Sequence, residues 1–199
     1  MPGEQLHQMG ADGAQRAKTW LDSTTRTRSS WTNEDPVAAS RLTFNWPHGK
    51  QTEFSFDVGG ILFGEEFDNH LFVAEVKNYS TDSQGKHFDD FLAKAYCVLK
   101  NHSQVADQFM FLTWHPFRVT SWTRLTEADT VVAACLSNRE RLLGEADAGK
   151  AQALLDDDVI DELCGRLWLI VLSEKQEELL ISPRDRALIV TRRIEEGLQ

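Results

Sequence analysis

Residues 54–80 read FSFDVGGILFGEEFDNHLFVAEVKNYS, two apolar runs that each carry charge where a strand interior is ordinarily greasy. LFVAEVKNY sets Glu75 and Lys77 two residues apart, and FSFDVGG holds Asp57 in the same way. Short runs rich in valine and aromatic residues, bounded by turn signals, form strands. Strand side chains alternate between faces. Leu71, Val73, Glu75, Lys77 and Tyr79 therefore share one face, and Phe72, Ala74, Val76 and Asn78 the other. In the earlier run, Ser55 and Asp57 lie opposite Phe54 and Phe56. Pairing of the two runs as a hairpin brings Asp57 and Glu75 together on one face, with Lys77 beside them.

The flanking pattern predicts an α/β chain. Ala14, Ala17, Trp20 and Leu21 recur at helical spacing over 10–23. The Ser/Thr-rich segment after it, with Arg26 and Arg28, reads as a loop. Strands are expected at 40–46, from about Thr52 through the FSFDVGGILF run, and at 70–79, an antiparallel meander with PHGK as its first turn. Gly59 and Gly60 fit a bend or bulge that re-aims Asp57 or lets a nucleic-acid backbone approach. Phe88, Phe91, Leu92, Ala95, Tyr96 and Leu99 make one apolar face of a helix at about 87–100. QFMFLTW at 108–114 is a short strand buried on both faces. Beyond it, Thr126 and Asp129 resemble a capping box. A helix falls in 150–166, a buried strand at 167–173, and RALIVTRRI at 186–194 suits either a strand or a helix. The acids of DDDVIDE suit a helix N-terminus. The order α-β-β-β-α-β describes a mixed sheet flanked by helices, with a core at about 10–114 and a more helical elaboration at about 115–199. A length of 199 residues suits one domain.

Composition narrows the setting. No apolar stretch approaches the roughly 20 residues of a membrane-spanning helix, and the N-terminus lacks the charge and apolar pattern of a secretory signal. Cys97, Cys135 and Cys164 are widely spaced and odd in number, which points to reduced thiols in a cytoplasmic protein. The net charge of −10 disfavours a general nucleic-acid binder. The imbalance is uneven, however: residues 1–125 carry −3 and residues 126–199 carry −7. Phosphate contact depends on a local patch, so the first part keeps that capacity.

Two neighbouring carboxylates repel and are costly to desolvate, and a divalent cation resolves the conflict. Oxygen ligands suit Mg²⁺ with several waters retained. Lys77 would then stand where a metal-bound water attacks phosphorus, deprotonating that water or neutralising charge on the phosphoryl oxygens. Asp57 in FDVGG, Glu75-Val76-Lys77 in VAEVKNY, and the amphipathic helix and strand that follow resemble the PD-(D/E)XK nuclease superfamily, the restriction-endonuclease-like fold. The resemblance covers residues 10–114. It implies Asp57 and Glu75 as metal ligands, the Val76 carbonyl as a further ligand, and Lys77 as the catalytic lysine. The implied activity is Mg²⁺-dependent hydrolysis of DNA phosphodiesters, with Mn²⁺ able to substitute. Phe56 stands where family members often carry proline. In place of a first-helix glutamate the chain offers Gln15, with Glu4 and Glu34 as weaker candidates. The QxxxY pattern of one subgroup is missing: Tyr96 is present, but Gln84 is too far away.

Lys86 and Lys94 on the amphipathic helix, and Arg26 and Arg28, are weaker candidates for phosphate contact, against the ordinary reading of solvated surface. His115 suits a structural role better than a general base. The expectation is thus a DNA nuclease that can act as a homodimer or larger complex, serving defence against foreign DNA, repair or recombination; RNA stays open as a substrate. The alternatives are a catalytically inactive nuclease-fold protein that binds nucleic acid or protein, and an acidic interaction module whose Glu75–Lys77 spacing is incidental.

Overall fold

The computed structural model describes residues 3–50, 52–78 and 84–197, and side chains from residue 8 onward. The first half comprises α1 (Gly3–Ser23), β1 (Thr27–Thr32), α2 (Pro36–Leu42), β2 (Thr43–Asn45), β3 (Glu53–Ser55), β4 (Val58–Leu62), β5 (Leu71–Lys77), α3 (Gln84–Asn101) and β6 (Gln108–Thr113). The second half adds α4 (Ala128–Ser137), α5 (Arg139–Leu143), α6 (Ala148–Gln152), α7 (Asp157–Arg166), β7 (Leu167–Val171), α8 (Glu174–Glu177) and α9 (Pro183–Gly197). Five strands form a mixed sheet in the order β1-β4-β5-β6-β7, and β2 pairs with β3 separately. β4 runs antiparallel to both β1 and β5, whereas β6 and β7 continue from β5 in parallel. A parallel neighbour requires a crossover, which α3 supplies between β5 and β6 and the α4–α7 run supplies between β6 and β7. The architecture is α/β, a mixed five-stranded sheet flanked by helices.

Each face of the sheet has its own apolar cluster. On one, Phe88, Phe91 and Leu92 of α3 meet Val73, Phe109 and Phe111, joined by Val131 and Cys135 of α4 and Leu163 of α7. On the other, Ala14, Ala17 and Leu21 of α1 meet Val58, Phe72, Ala74, Val76, Met110 and Leu112. The small residues of α1 allow a close approach; a Cβ at Gly13 would lie 2.8 Å from the Cβ of Asn78. No helix among the described residues is long and apolar enough to cross a membrane. All three cysteines are free thiols.

Several boundaries differ from the sequence reading. The segment after α1 is not a loop throughout: TRSSWT forms β1, an edge strand that has only one large apolar residue and so no apolar alternation to betray it. Residues 40–46 are not one strand: residues 40–42 end α2, which Asp35 caps through the N–H groups of Val37 and Ala38 with Pro36 in its first turn, and only Thr43–Asn45 is strand. The capping-box reading at Thr126 fails as well: Glu127 is the N-cap of α4 and makes no side-chain capping bond. The stretch 150–166 is two helices, α6 and α7, with Asp156 capping the second. Residues 186–194 lie within the helix α9. Tyr79 falls outside the described residues.

The expected strand from Thr52 to Phe63 is two strands in different sheets. A straight strand would direct Phe54, Phe56, Val58 and Leu62 to one face. Instead Phe54 and Phe56 enter the cluster under α3, while Val58 and Leu62 enter the cluster under α1. The chain therefore turns a corner at Asp57. Gly59 and Gly60 make no bulge here; they lie in regular β4 pairing. The ladder irregularity is in β1, between Thr27 and Ser29. Nor is there room at the glycines for a nucleic-acid backbone. A Cβ at Gly59 would stand 2.7 Å from Leu42 Cδ2, and one at Gly60 would stand 2.5 Å from both the Phe72 ring and the Ser29 carbonyl oxygen. Gly60→Ala is expected to destabilise the fold by about 1–3 kcal/mol through overpacking. A urea unfolding midpoint equal to that of the wild type would contradict this.

Candidate functional site

The corner at Asp57 determines what that residue can reach. Phe56 is fully buried among Phe44, Phe54 and Phe91, and its N–H donates to the Leu42 carbonyl. Anchored on that side, Asp57 enters β4 beside β5. Val58 pairs with Ala74, so Asp57 stands next to Glu75 across the strand pair. Its N–H donates to the Ala74 carbonyl at 2.9 Å, and its carbonyl accepts the Asn33 N–H at 3.0 Å. Its carboxylate accepts the Val76 N–H at 2.7 Å, with the Asn33 amide 3.5 Å from the other oxygen. The side chain thus extends the ladder to β5 one step beyond the end of β4.

Glu75 lies in mid-strand on the face covered by α3 and is only 6% exposed. Lys77 donates to one carboxylate oxygen at 2.7 Å and Lys94 of α3 to the other at 2.9 Å. The period of a strand places Glu75 and Lys77 side by side, as the sequence reading expected. Lys94 is not a solvated helix residue. It also donates to the Ser55 carbonyl at 3.1 Å, and its ammonium lies 5.8 Å from the Phe56 ring centroid. A buried carboxylate, a half-buried one and two ammonium groups therefore meet where β5 ends, on the carboxyl side of the parallel pair β5–β6, the usual position of sites in such sheets.

The two acids differ in electrostatic state. Burial, and then the charge of Glu75, push Asp57 up to about 6, against the opposing pull of Lys77, the Val76 N–H and Lys94. Burial alone would raise Glu75 as well, but Lys94 and Lys77 together outweigh it and hold Glu75 lowered to about 2. Asp57 is the member of the pair short of positive charge. His87, half-buried in the first turn of α3, is lowered by burial and then by Lys77.

The donor chemistry fits a small hard cation. Carboxylate oxygens of Asp57 and Glu75 flank one locus. The N–H and C=O of a strand residue point to the same side, so the Val76 carbonyl faces the side on which its N–H meets Asp57. Among the described residues no group of three or more His, Cys, Asp or Glu side chains converges, so an ion held here would rely on two carboxylates, a carbonyl and water. Glu75 would exchange an ammonium contact for the ion.

The remaining candidates lie elsewhere. Gln15 is exposed on α1, and the residue of that helix that reaches the end of β5 is Arg16. Arg16 donates to Asn78 at 2.7 Å, pairs with Glu177 at 2.7 Å and stacks on Trp114 at 4.4 Å. Glu34 is exposed next to Asn33, and the side chain of Glu4 lies outside the described residues. Lys86 is exposed on α3. Tyr96 is buried, its hydroxyl accepting the N–H of Asp156 at the start of α7. Arg26 and Arg28 adjoin the Leu62 end of β4, the opposite end from Asp57. Sequence reasoning missed Asn33 and His87, and it did not foresee that Lys94 reaches Glu75. Positions 87 and 94 are two helical turns apart, a spacing that puts both on one flank of the helix covering β5.

Because Asp57 titrates higher when folded than the usual carboxylate value of 3.8, stability is lost as pH rises from about 4 through about 6. Asp57→Asn, which keeps an acceptor for the Val76 N–H, removes this loss. Relative to the wild type, the variant is expected to gain about 1–3 kcal/mol between pH 4 and pH 7. Unfolding curves at the two pH values test this, and a pH-independent difference would refute it.

Comparison with protein-family models, curated proteins and solved structures finds no match for the chain.

Proposed function

We propose that the chain is a metal-dependent nuclease of restriction-endonuclease-like fold, hydrolysing DNA phosphodiester bonds with Mg²⁺, for which Mn²⁺ substitutes. The observation that carries this reading is the convergence of Asp57, Glu75 and Lys77 at the end of β5, with Lys77 2.7 Å from Glu75. The succession α1-β1-β4-β5-α3-β6 in the main sheet supports it, since it repeats the α-β-β-β-α-β order of that fold.

Asp57 and Glu75, with the Val76 carbonyl, would hold the ion. When bound, it supplies a water acidified toward neutral pH and a counter-charge for the phosphoryl oxygens. Asp57 gains the positive charge its surroundings lack. Lys77 turns its ammonium from Glu75 toward the scissile phosphate and stabilises the charge that develops there. Lys94 stays on Glu75 and the Ser55 carbonyl, fixing the carboxylate against α3.

A second reading has an observation of its own. Both oxygens of Glu75 already accept ammonium groups, and α1 presents no acid to the locus among the described side chains. These features favour an inactive nuclease-fold protein that binds nucleic acid or a protein partner. Incubation of the purified protein with plasmid, linear and single-stranded DNA, with Mg²⁺ or Mn²⁺, separates the two. Metal-dependent cleavage is expected, reduced at least about 100-fold by Glu75→Gln or Lys77→Ala in folded protein. Mg²⁺ is also expected to raise the unfolding midpoint of the wild type by mass action, and not that of Glu75→Gln. Cleavage unchanged in both variants sinks the nuclease reading; DNA binding without cleavage under any metal selects the second.

A further inference from the structure

At the far end of the sheet, two adjoining cavities share Arg26, Phe63, Gly64 and Glu65 as walls. The first, about 380 Å³, lies between α1 and the sheet and is lined mainly by Trp20, Leu62, Phe67, Met110, Trp168 and Ile170. The second, about 530 Å³, gathers Arg26, Arg28 and Arg193. Both volumes fall within the roughly 300–1,000 Å³ of small-molecule sites.

The arginine cavity is built by parts of the chain distant in sequence. α9 docks through Arg186, which donates to the carbonyls of Asp22 at 2.9 Å and Thr27 at 3.1 Å. Arg193, two turns further along the same helix face, is thereby set against Arg26 and Arg28. Gly64 adopts φ 94°, and a Cβ there would meet Arg26 Nη1 at 2.6 Å and Arg193 Nη1 at 3.4 Å. The two guanidinium groups thus flank a single point. Among the described residues no carboxylate lies within 4.0 Å of Arg26, Arg28 or Arg193. The acids nearby are otherwise engaged or exposed. Asp68 accepts the Gly64 N–H and the Asn69 amide, Glu196 accepts from Arg192, and Glu65 is exposed. Arg28 donates only to the Asn69 amide oxygen, at 2.8 Å. Glu65, Asp68 and Glu196 also line this cavity, but none is in ion-pair contact with the three guanidinium groups, whose forked donors are of the kind that match an anion. The neighbouring cavity offers the converse chemistry. Its Trp168 ring is held by a bond to Gln108 at 2.7 Å and an edge contact with Phe67 at 5.3 Å, leaving a rigid aromatic wall.

We propose that the two cavities form one site for a nucleotide, its base against Trp20 and Trp168 and its phosphate among Arg26, Arg28 and Arg193. Guanidinium forks match phosphate oxygens, and a planar base suits an aromatic-walled apolar cavity. The site is separate from the Asp57–Glu75 locus and from the nuclease reading: its arginines lie at the Leu62 end of β4 and its apolar wall is on the α1 face of the sheet, whereas Glu75 faces α3.

Calorimetric titration of the metal-free chain with AMP, adenosine and inorganic phosphate tests the assignment. Saturable AMP binding is expected, with adenosine and phosphate each at least about tenfold weaker. Arg193→Ala and Arg28→Gln are each expected to weaken AMP about tenfold while leaving adenosine unchanged, and Trp168→Ala to weaken both AMP and adenosine. The absence of saturable AMP binding, phosphate binding as tightly as AMP, or AMP affinity unaltered in both folded arginine variants would overturn the proposal. None of these readouts involves cleavage, so this proposal and the nuclease reading fail separately.

Discussion

A carboxylate 6% exposed in the middle of a strand has to be matched by charge, and at Glu75 two lysines do so. Lys77 comes from the same strand and Lys94 from the helix above it, so the pair with Lys94 joins β5 to α3. Loss of either ammonium would leave a buried charge partly uncompensated, a costlier defect than loss of an exposed ion pair. The locus is therefore sensitive to any change in its balance of charge. An incoming cation or phosphate would have to displace an existing partner instead of filling neutral space.

Asp57 completes the locus through backbone geometry. Two aromatic residues before it face the α3 side, and the residues after it face the α1 side. The strand must turn between them, and the turn leaves Asp57 at the mouth of β4. There it borrows the Val76 N–H, and it carries the uncompensated share of the negative charge. The asymmetry of the two acids follows: Glu75 is neutralised within the fold, and Asp57 is not.

The glycines show how a residue type misleads when its surroundings are unseen. Gly59 and Gly60 after an acid suggest a bulge, yet both are there because the Phe72 ring, Leu42 and the β1 backbone occupy the space a side chain would need. Arg26 and Arg28 likewise fall at the far end of the sheet, where α9 adds a third arginine from 165 positions beyond Arg28. Local sequence holds no trace of that meeting.

What the chain revealed by itself was whatever depends on a short repeat. The period of two placed Glu75 beside Lys77, and the period of 3.6 gave α3 its buried face. Capping signals at Asp35 and Asp156 were equally local; the acids of DDDVIDE marked a helix N-terminus, but neither cap was named. The tertiary structure alone decided that the chain turns at Asp57, that Lys94 reaches Glu75, and where the arginines gather. Those outcomes depend on packing between segments far apart in the chain, where burial of Phe56 and the crossing of α3 over β5 outweigh any preference of the residues themselves.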